Sequence, residues 1–218
     1  YADLNEYYAV SGEEAAIVLQ DEVVEEKALL RDGSYYFDYA TVRKYFNDRF
    51  YVDKTEGLLL YTNAVDTIRT EIGSSSFIKD GAAAEESYVL SFYEGETLYI
   101  AADYVKKFCN YSYEAFTEPN RLQVYTQWGE IQTAQIKKDT AARYQGGVKS
   151  DILKDVKKED TVTVLEEMET WSKVKTADAV IGYVENKRLS EKTVTEQIPV
   201  TDYVEPEFTS LTREHKIN

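Results

Sequence analysis

Thr161-Val162-Thr163-Val164-Leu165, Trp171-Ser172-Lys173-Val174 and Ile181-Gly182-Tyr183-Val184 are three short runs inside one stretch, Ala134 to Leu189, whose reading decides the fold. In the first run Val162 and Val164 fall on one face of an extended chain, the alternation of a half-buried strand. A polar turn, Glu166 to Thr170, separates it from the second run. In the third, Gly182 interrupts the pattern, which signals a bulge or a close approach of another backbone. Short strands at this spacing, with turns between them and no helical period, predict a small closed barrel or sandwich.

The same stretch resembles a known family. Ala142-Arg143, Gly146-Gly147, Ser150-Asp151-Ile152, Val156 to Asp160, Val162 to Leu165, Trp171 to Val174, Ile181 to Val184 and Leu189 together are similar to a bacterial SH3 domain. Two departures stand out. The turn glycine expected near Lys158-Glu159-Asp160 is missing, and Thr176-Ala177-Asp178-Ala179 replaces the usual glycine-containing turn. The resemblance implies a secreted bacterial protein in which the barrel binds cell wall or spaces other domains.

Outward from the barrel, composition sets the limits. At 218 residues, 43% of them hydrophobic and 19 of them tyrosine, the chain has material for one large or two small cores. No apolar run approaches the ~20 residues of a membrane-spanning helix. The net charge of −15 repels phosphate backbones, so nucleic acid and anionic membranes are poor partners. The chain starts at Tyr1 and holds a single methionine, Met168, from which a processed or cut chain is expected. Its one cysteine, Cys109, follows Phe108 on an apolar helix face, which predicts a small buried thiol.

Towards the start, Tyr1 to Gly12 shows no clear period and is expected to pack loosely, while Ala16 to Gln20 and Glu26 to Leu30 read as strands. Then a unit repeats. Gly33 to Phe46 can be laid on Gly95 to Phe108, and Leu58 to Thr62 on Leu122 to Thr126, at an offset of about 63 residues. Each copy reads as strand, short helix, strand. Tyr39, Val42 and Phe46 share one helix face, as do Ala101 or Ala102 with Val105 and Phe108. Thr55-Glu56-Gly57 and Pro119-Asn120 mark matching turns. The Ser-, Gly- and Ala-rich run Gly73 to Glu86 reads as the linker between copies.

The repeat, from Ala15 to Gly129, resembles the copper-amine-oxidase N-terminal-like, or stalk, domain of secreted Gram-positive proteins. Copper itself is not expected, because the chain has one histidine, His215, outside the repeat. From Ser190 to Asn218, Pro199 and Pro206 fall among Thr, Glu, Val and Asp, which favours an extended arm. The order stalk-like repeat, SH3-like barrel and arm is similar to the front half of clostridial family-18 glycoside hydrolases, related to chitinases. That resemblance implies a C-terminal catalytic domain as partner.

The expected fold is therefore α+β and mostly β. Residues 1–131 make a duplicated strand–helix–strand domain, 132–189 an SH3-like β-barrel, and 190–218 an extended linker toward a missing catalytic domain. No catalytic residue, metal ligand or cofactor is expected. His215 falls in the expected arm, where no scaffold is expected to hold it beside a nucleophile, and the family-18 acid motif D-x-x-D-x-D-x-E is absent from the sequence. Acidic pairs such as Glu13-Glu14, Glu25-Glu26 and Glu166-Glu167 lack the spacing of a calcium loop and read as solvated strand edges.

Aromatic faces are the candidate sites, because sugars and peptides bind exposed rings backed by a rigid sheet. The candidates are Tyr144, Gly146, Gly147, Trp171 and Tyr183, with Trp128 and Tyr125 read as a domain seam. A large aromatic is on average mostly buried, so each also has a reading as core. Tyr144, beside the Gly146-Gly147 turn, best suits an exposed face. The net negative charge argues against electrostatic capture of anionic wall polymers, so binding there is expected to depend little on salt. Two functions remain open at this level. One is a non-catalytic, extracellular or wall-associated targeting or spacer region that binds peptidoglycan or another wall glycan or peptide. The other is a purely architectural or protein-interaction module.

Overall fold

The computed structural model describes residues 1–201, 203, 204 and 206. His215 lies outside them. The chain is mostly β, 49% strand and 9% helix, in several sheets. In chain order it runs α1 (Leu4–Tyr8), β1 (Glu14–Leu19), β2 (Glu22–Arg31), β3 (Ser34–Asp38), α2 (Tyr39–Tyr45), β4 (Phe50–Asp53), β5 (Leu58–Thr62), β6 (Thr67–Glu71), β7 (Ser76–Lys79), β8 (Ala82–Glu85), β9 (Ser91–Glu94), β10 (Thr97–Ala101) and α3 (Ala102–Val105). It continues with β11 (Ser112–Phe116), β12 (Arg121–Tyr125), β13 (Glu130–Gln135), β14 (Thr140–Arg143), β15 (Ile152–Val156), β16 (Thr161–Glu167), β17 (Trp171–Lys175), β18 (Ile181–Glu185), a 3-10 turn at Asn186–Arg188, and β19 (Thr193–Glu196).

By compactness, Tyr1–Lys27 and Ser112–Val200 form one unit and Ala28–Tyr111 another. The boundary read from sequence at 131/132 falls inside the first.

In the second unit the end of β2 pairs with β3, β3 with β10 and β10 with β9, all antiparallel. A separate five-stranded sheet runs β4-β5-β6-β7-β8. The two stretches aligned by sequence both place a short helix directly after a strand, α2 after β3 and α3 after β10. After each helix comes a two-stranded hairpin, β4–β5 or β11–β12, where a single strand was expected. The second set is buried as read, but not as one helix face. α3 is only four residues long and holds Ala102 and Val105, Ala101 closes β10, and Phe108 and Cys109 follow the helix in turns, all of them inside.

Gly73 to Glu86 is not a linker. It holds the β7–β8 hairpin, whose turn residues Asp80 and Gly81 both have positive φ, 50° and 86°. That is the turn chemistry of a two-residue hairpin loop. The small residues Ala82, Ala83 and Ala84 are exposed strand residues rather than a flexible spacer.

The first unit holds the barrel. β15-β14-β18-β17-β16-β13-β19 form one seven-stranded sheet containing no strand from before Glu130. Val156 on β15 and Ala134 on β13 lie well apart in that order, yet both join one buried cluster with Ala142, Val162, Val164, Val174, Val184 and Leu189. A flat sheet keeps such strands apart; this one curls around its core, with register shifts in β14 and β16 that sharpen the bend. The alternation at Val162 and Val164 places both inward, as expected. The chain does not leave the sheet at Leu189, because β19 adds an exposed edge strand, pairing Glu130 with Glu196 through Thr133 with Thr193.

Tyr1 to Gly12, expected to be loose, is docked against the barrel. Asp3 caps α1 by accepting from the Asn5 amide, and Tyr8 is fully buried. Tyr8, Val10, Ala16 and Val18 share a core cluster with Ala179 and Ile181. The short helix escaped the periodicity reading because five residues cannot establish one. Asp3 and Glu6, spaced as an N-cap and its third helical residue, were the available signal.

Candidate ligand groove

The barrel corner Thr176 to Ile181 holds Thr176-Ala177-Asp178-Ala179 in place of a glycine-containing turn. Ala179 takes the left-handed conformation there, at φ 64°. The Thr176 hydroxyl donates to Asp178 Oδ1 at 2.6 Å and accepts from the Val180 amide at 3.0 Å, fixing the turn from inside. Tyr8 Oη donates to the Ala179 carbonyl at 2.8 Å, and Arg121 from β12 donates to the Asp178 carbonyl and carboxylate. Next to it, buried Lys175 donates to the Gln20 carbonyl, Asp21 Oδ1 and Tyr125 Oη, each at 2.8 Å. The other missing glycine is replaced in the same manner. Glu159 adopts φ 76° at the tip of the β15–β16 connection.

This docking sets Tyr7 and the start of β2 beside the outer face of β17 and β18. On that face Lys173 stands opposite Tyr183, and Tyr183 opposite Arg143 of β14. Tyr7 Oη donates to the Ile181 carbonyl at 2.6 Å and accepts from the Ile181 amide at 3.1 Å. Burial raises its phenol to about 12.

Beyond β14 the chain turns through Tyr144 to Ser150. The Tyr144 amide donates to the Asp151 carbonyl, and Arg143 Nη1 and the Ser150 hydroxyl tie the loop at 2.7 and 2.8 Å. Tyr144 is 56% exposed.

Two clefts meet at this loop. One, of about 430 Å³, is lined by Tyr7, Asp21, Glu22, Val23, Tyr144, Gln145, Lys173, Ile181 and Tyr183. The other, of about 260 Å³, is lined by Ala2, Asp3, Glu6, Tyr7, Tyr144 and Asp151. Tyr7 and Tyr144 border both. Of the residues expected to form a site, Tyr144 and Tyr183 share the larger cleft. Gly146 and Trp171 are brought together beside it: a β-carbon on Gly146 would stand 3.1 Å from Trp171 Cγ. Trp171 is half-buried, and Gly147 faces open space. Neither glycine nor Trp171 lines the two clefts.

Tyr7, Asp21, Glu22 and Lys173 are not among the residues expected from sequence, because three of these four come from the segment expected to be loose or from the corner between β1 and β2. Trp128 and Tyr125, read as a seam, line a third cleft of about 460 Å³ with Tyr113, Ile198 and Val200, all within the first unit. Among the described residues no group of three or more His, Cys, Asp or Glu is placed to hold a metal ion. No helix among them is long and apolar enough to cross a membrane.

A family model for the bacterial SH3 domain matches residues 143–190. Those residues form a bacterial SH3 domain, commonly a cell-wall binding module, and the match runs from the end of β14 through β18 to the Leu189 bridge. No curated protein matches the chain, and no solved structure does.

Proposed function

We propose that this chain is the non-catalytic wall-targeting region of a secreted bacterial glycoside hydrolase, in which the SH3 domain binds peptidoglycan through the groove at Tyr144. The observation that carries the reading is an exposed tyrosine at the mouth of a cleft on a domain of wall-binding type. In this reading the strand–helix stretches at β3–α2 and β10–α3 are copies of one stalk unit, supported by their shared order and by the direct pairing of β3 with β10. A family-18 catalytic domain follows the arm, and this chain itself performs no hydrolysis.

The test is retention of the purified chain on peptidoglycan sacculi. The parent is expected to be retained and Tyr144→Ala to be lost from the pellet while its thermal unfolding is unchanged. Val164→Ala, a core truncation, should instead lower stability by about 1–3 kcal/mol and leave retention intact below its melting temperature. A parent that stays in the supernatant overturns wall binding. Turnover of a chitin oligosaccharide by the pure chain overturns its non-catalytic role.

A second reading, an architectural module, has its own support. The barrel corner at Asp178–Ile181 is gripped by Tyr7, Tyr8 and Arg121, so the barrel is rigidly joined to the chain around it. Normal retention of Tyr144→Ala would favour a wall site elsewhere; absent retention of the parent would favour the architectural role.

A further inference from the structure

Resting on the wall-binding reading, we propose that the groove's ligand preference is set from outside the SH3 domain, by α1 and the start of β2. Together they make it a site for an extended peptide that carries a primary ammonium group.

The geometry begins with Tyr7. Its ring borders both clefts, and its hydroxyl is fixed by the two hydrogen bonds to Ile181, so the wall it forms is held in place. A ligand that crosses Tyr144 passes from one cleft to the other and touches both the barrel and the N-terminal segment. Two shallow clefts that share Tyr7 and Tyr144 suit an extended chain better than a compact ring.

Charge then chooses the ligand. The lining carries five carboxylates, Asp21 and Glu22 in one cleft and Asp3, Glu6 and Asp151 in the other, against the single cation Lys173. Asp21 is neutralised by Lys175, and Asp3 is occupied in capping α1. Glu6, Glu22 and Asp151 have no side-chain partner among the described residues, and neither do the Tyr144 and Tyr183 hydroxyls. Arg143, opposite Tyr183 on β14, is engaged with the Ser150 carbonyl, and Arg121 with the Asp178, Thr117 and Pro119 groups. Unpaired carboxylates favour a cation. The exposed Tyr144 ring adds to this, since an ammonium over an aromatic face is attracted to it. The free phenols supply hydrogen bonds for a peptide backbone. An anionic polymer meets repulsion along the whole groove.

The test titrates the full chain by calorimetry with an N-terminally acetylated stem tetrapeptide, Ala-γ-Glu-Lys-Ala. One sample has its lysine amine free and another has that amine acetylated. The free amine should bind about five- to tenfold more tightly, and its advantage should shrink at high salt. Glu6→Gln and Glu22→Gln should each reduce that preference about two- to threefold without changing thermal unfolding. Equal binding of the two peptides, or a preference untouched by both substitutions, overturns the inference while leaving wall binding standing. If neither peptide binds although sacculi retain the chain, the inference also fails and the wall ligand is a glycan. If neither peptide binds and sacculi do not retain the chain, both readings fall together.

Discussion

Arg121 and Asp178, 57 positions apart, meet twice: the Arg121 Nε donates to the Asp178 carbonyl at 2.9 Å, and its Nη2 to the Asp178 carboxylate at 3.0 Å. The guanidinium is almost wholly buried and also donates to the Thr117 and Pro119 carbonyls. Its ring neighbours are Tyr8 and Phe116, at 5.2 and 5.6 Å. One side chain thus ties together the β11–β12 turn, α1 and the barrel corner.

The first prediction follows from the charge on Asp178. Burial pushes its carboxyl up, but hydrogen bonds from Lys154 and Thr176, with the charges of Lys154 and Arg121, outweigh that and hold it below the ordinary value of 3.8. A carboxylate depressed in the folded state adds stability above its unfolded value, and that stability is lost as pH falls through the folded value. Urea unfolding should therefore show Asp178→Asn clearly less stable than the parent at neutral pH, with the gap closing in acid. A gap that stays constant from neutral pH into acid would rule out the ion-pair account. Arg121→Ala should cost more, about 3 kcal/mol, because it strips donors from three carbonyls at once.

Glu159 offers the opposite kind of change. It is exposed and sits at φ 76°, a region that costs a non-glycine residue about 1 kcal/mol. Glu159→Gly should raise stability by roughly 0.5–1 kcal/mol, read as a higher urea midpoint at unchanged slope. A lowered midpoint would mean that the side chain makes a compensating contact.

Gly182 is the site where added bulk fails. A β-carbon there would lie 2.9 Å from the Arg143 carbonyl oxygen and 3.2 Å from Leu153 Cδ1. Backbone cannot yield as a flexible side chain does, so Gly182→Ala should destabilise the barrel by about 1–3 kcal/mol. Gly147→Ala, facing open space, is the matched control and should change stability by less than about 0.5 kcal/mol. Similar losses at both positions would remove the close-approach explanation.

Much of this was legible in the sequence where a period of two repeats over several residues. Val162 and Val164, the glycine at 182 and the β17–β18 strands could all be read from pattern alone, because inward positions alternate and a missing side chain has a local cause. The groove was half legible. Tyr144 and Tyr183 belong to the barrel and are among the candidates that pattern alone offers; Tyr7, Asp21 and Glu22 reach the cleft only through tertiary docking. The two positions where the family's glycines are absent were visible as departures, but their meaning was not. Ala179 tolerates its strained backbone because Tyr8 and Arg121 clamp the turn from segments far away in sequence. Gly73 to Glu86 reads as a spacer for a simpler reason: its small residues carry no burial pattern, and its one hairpin signal is the Asp80-Gly81 pair between Phe77-Ile78 and the alanines.

The last prediction concerns Gly146 and the face it leaves for Trp171. A β-carbon at 146 would stand 3.1 Å from Trp171 Cγ and 3.2 Å from its Cβ, closer than ordinary contact but short of outright overlap. The indole is half-buried and can move outward, so Gly146→Ala should shift it by a few tenths of an ångström and Gly146→Val by more. Trp128, the other tryptophan, lies in a different cleft, so a Trp171→Phe background identifies which emission responds. Gly146→Val is expected to red-shift the Trp171 emission as the ring gains water, with a stability loss of about 1 kcal/mol. Because the loop from Tyr144 to Ser150 is tied at both ends, moving Trp171 should displace Tyr144 as well, and sacculus retention should fall in parallel with the spectral shift. Emission that moves while retention holds would separate the tryptophan face from the tyrosine groove and confine the site to the latter.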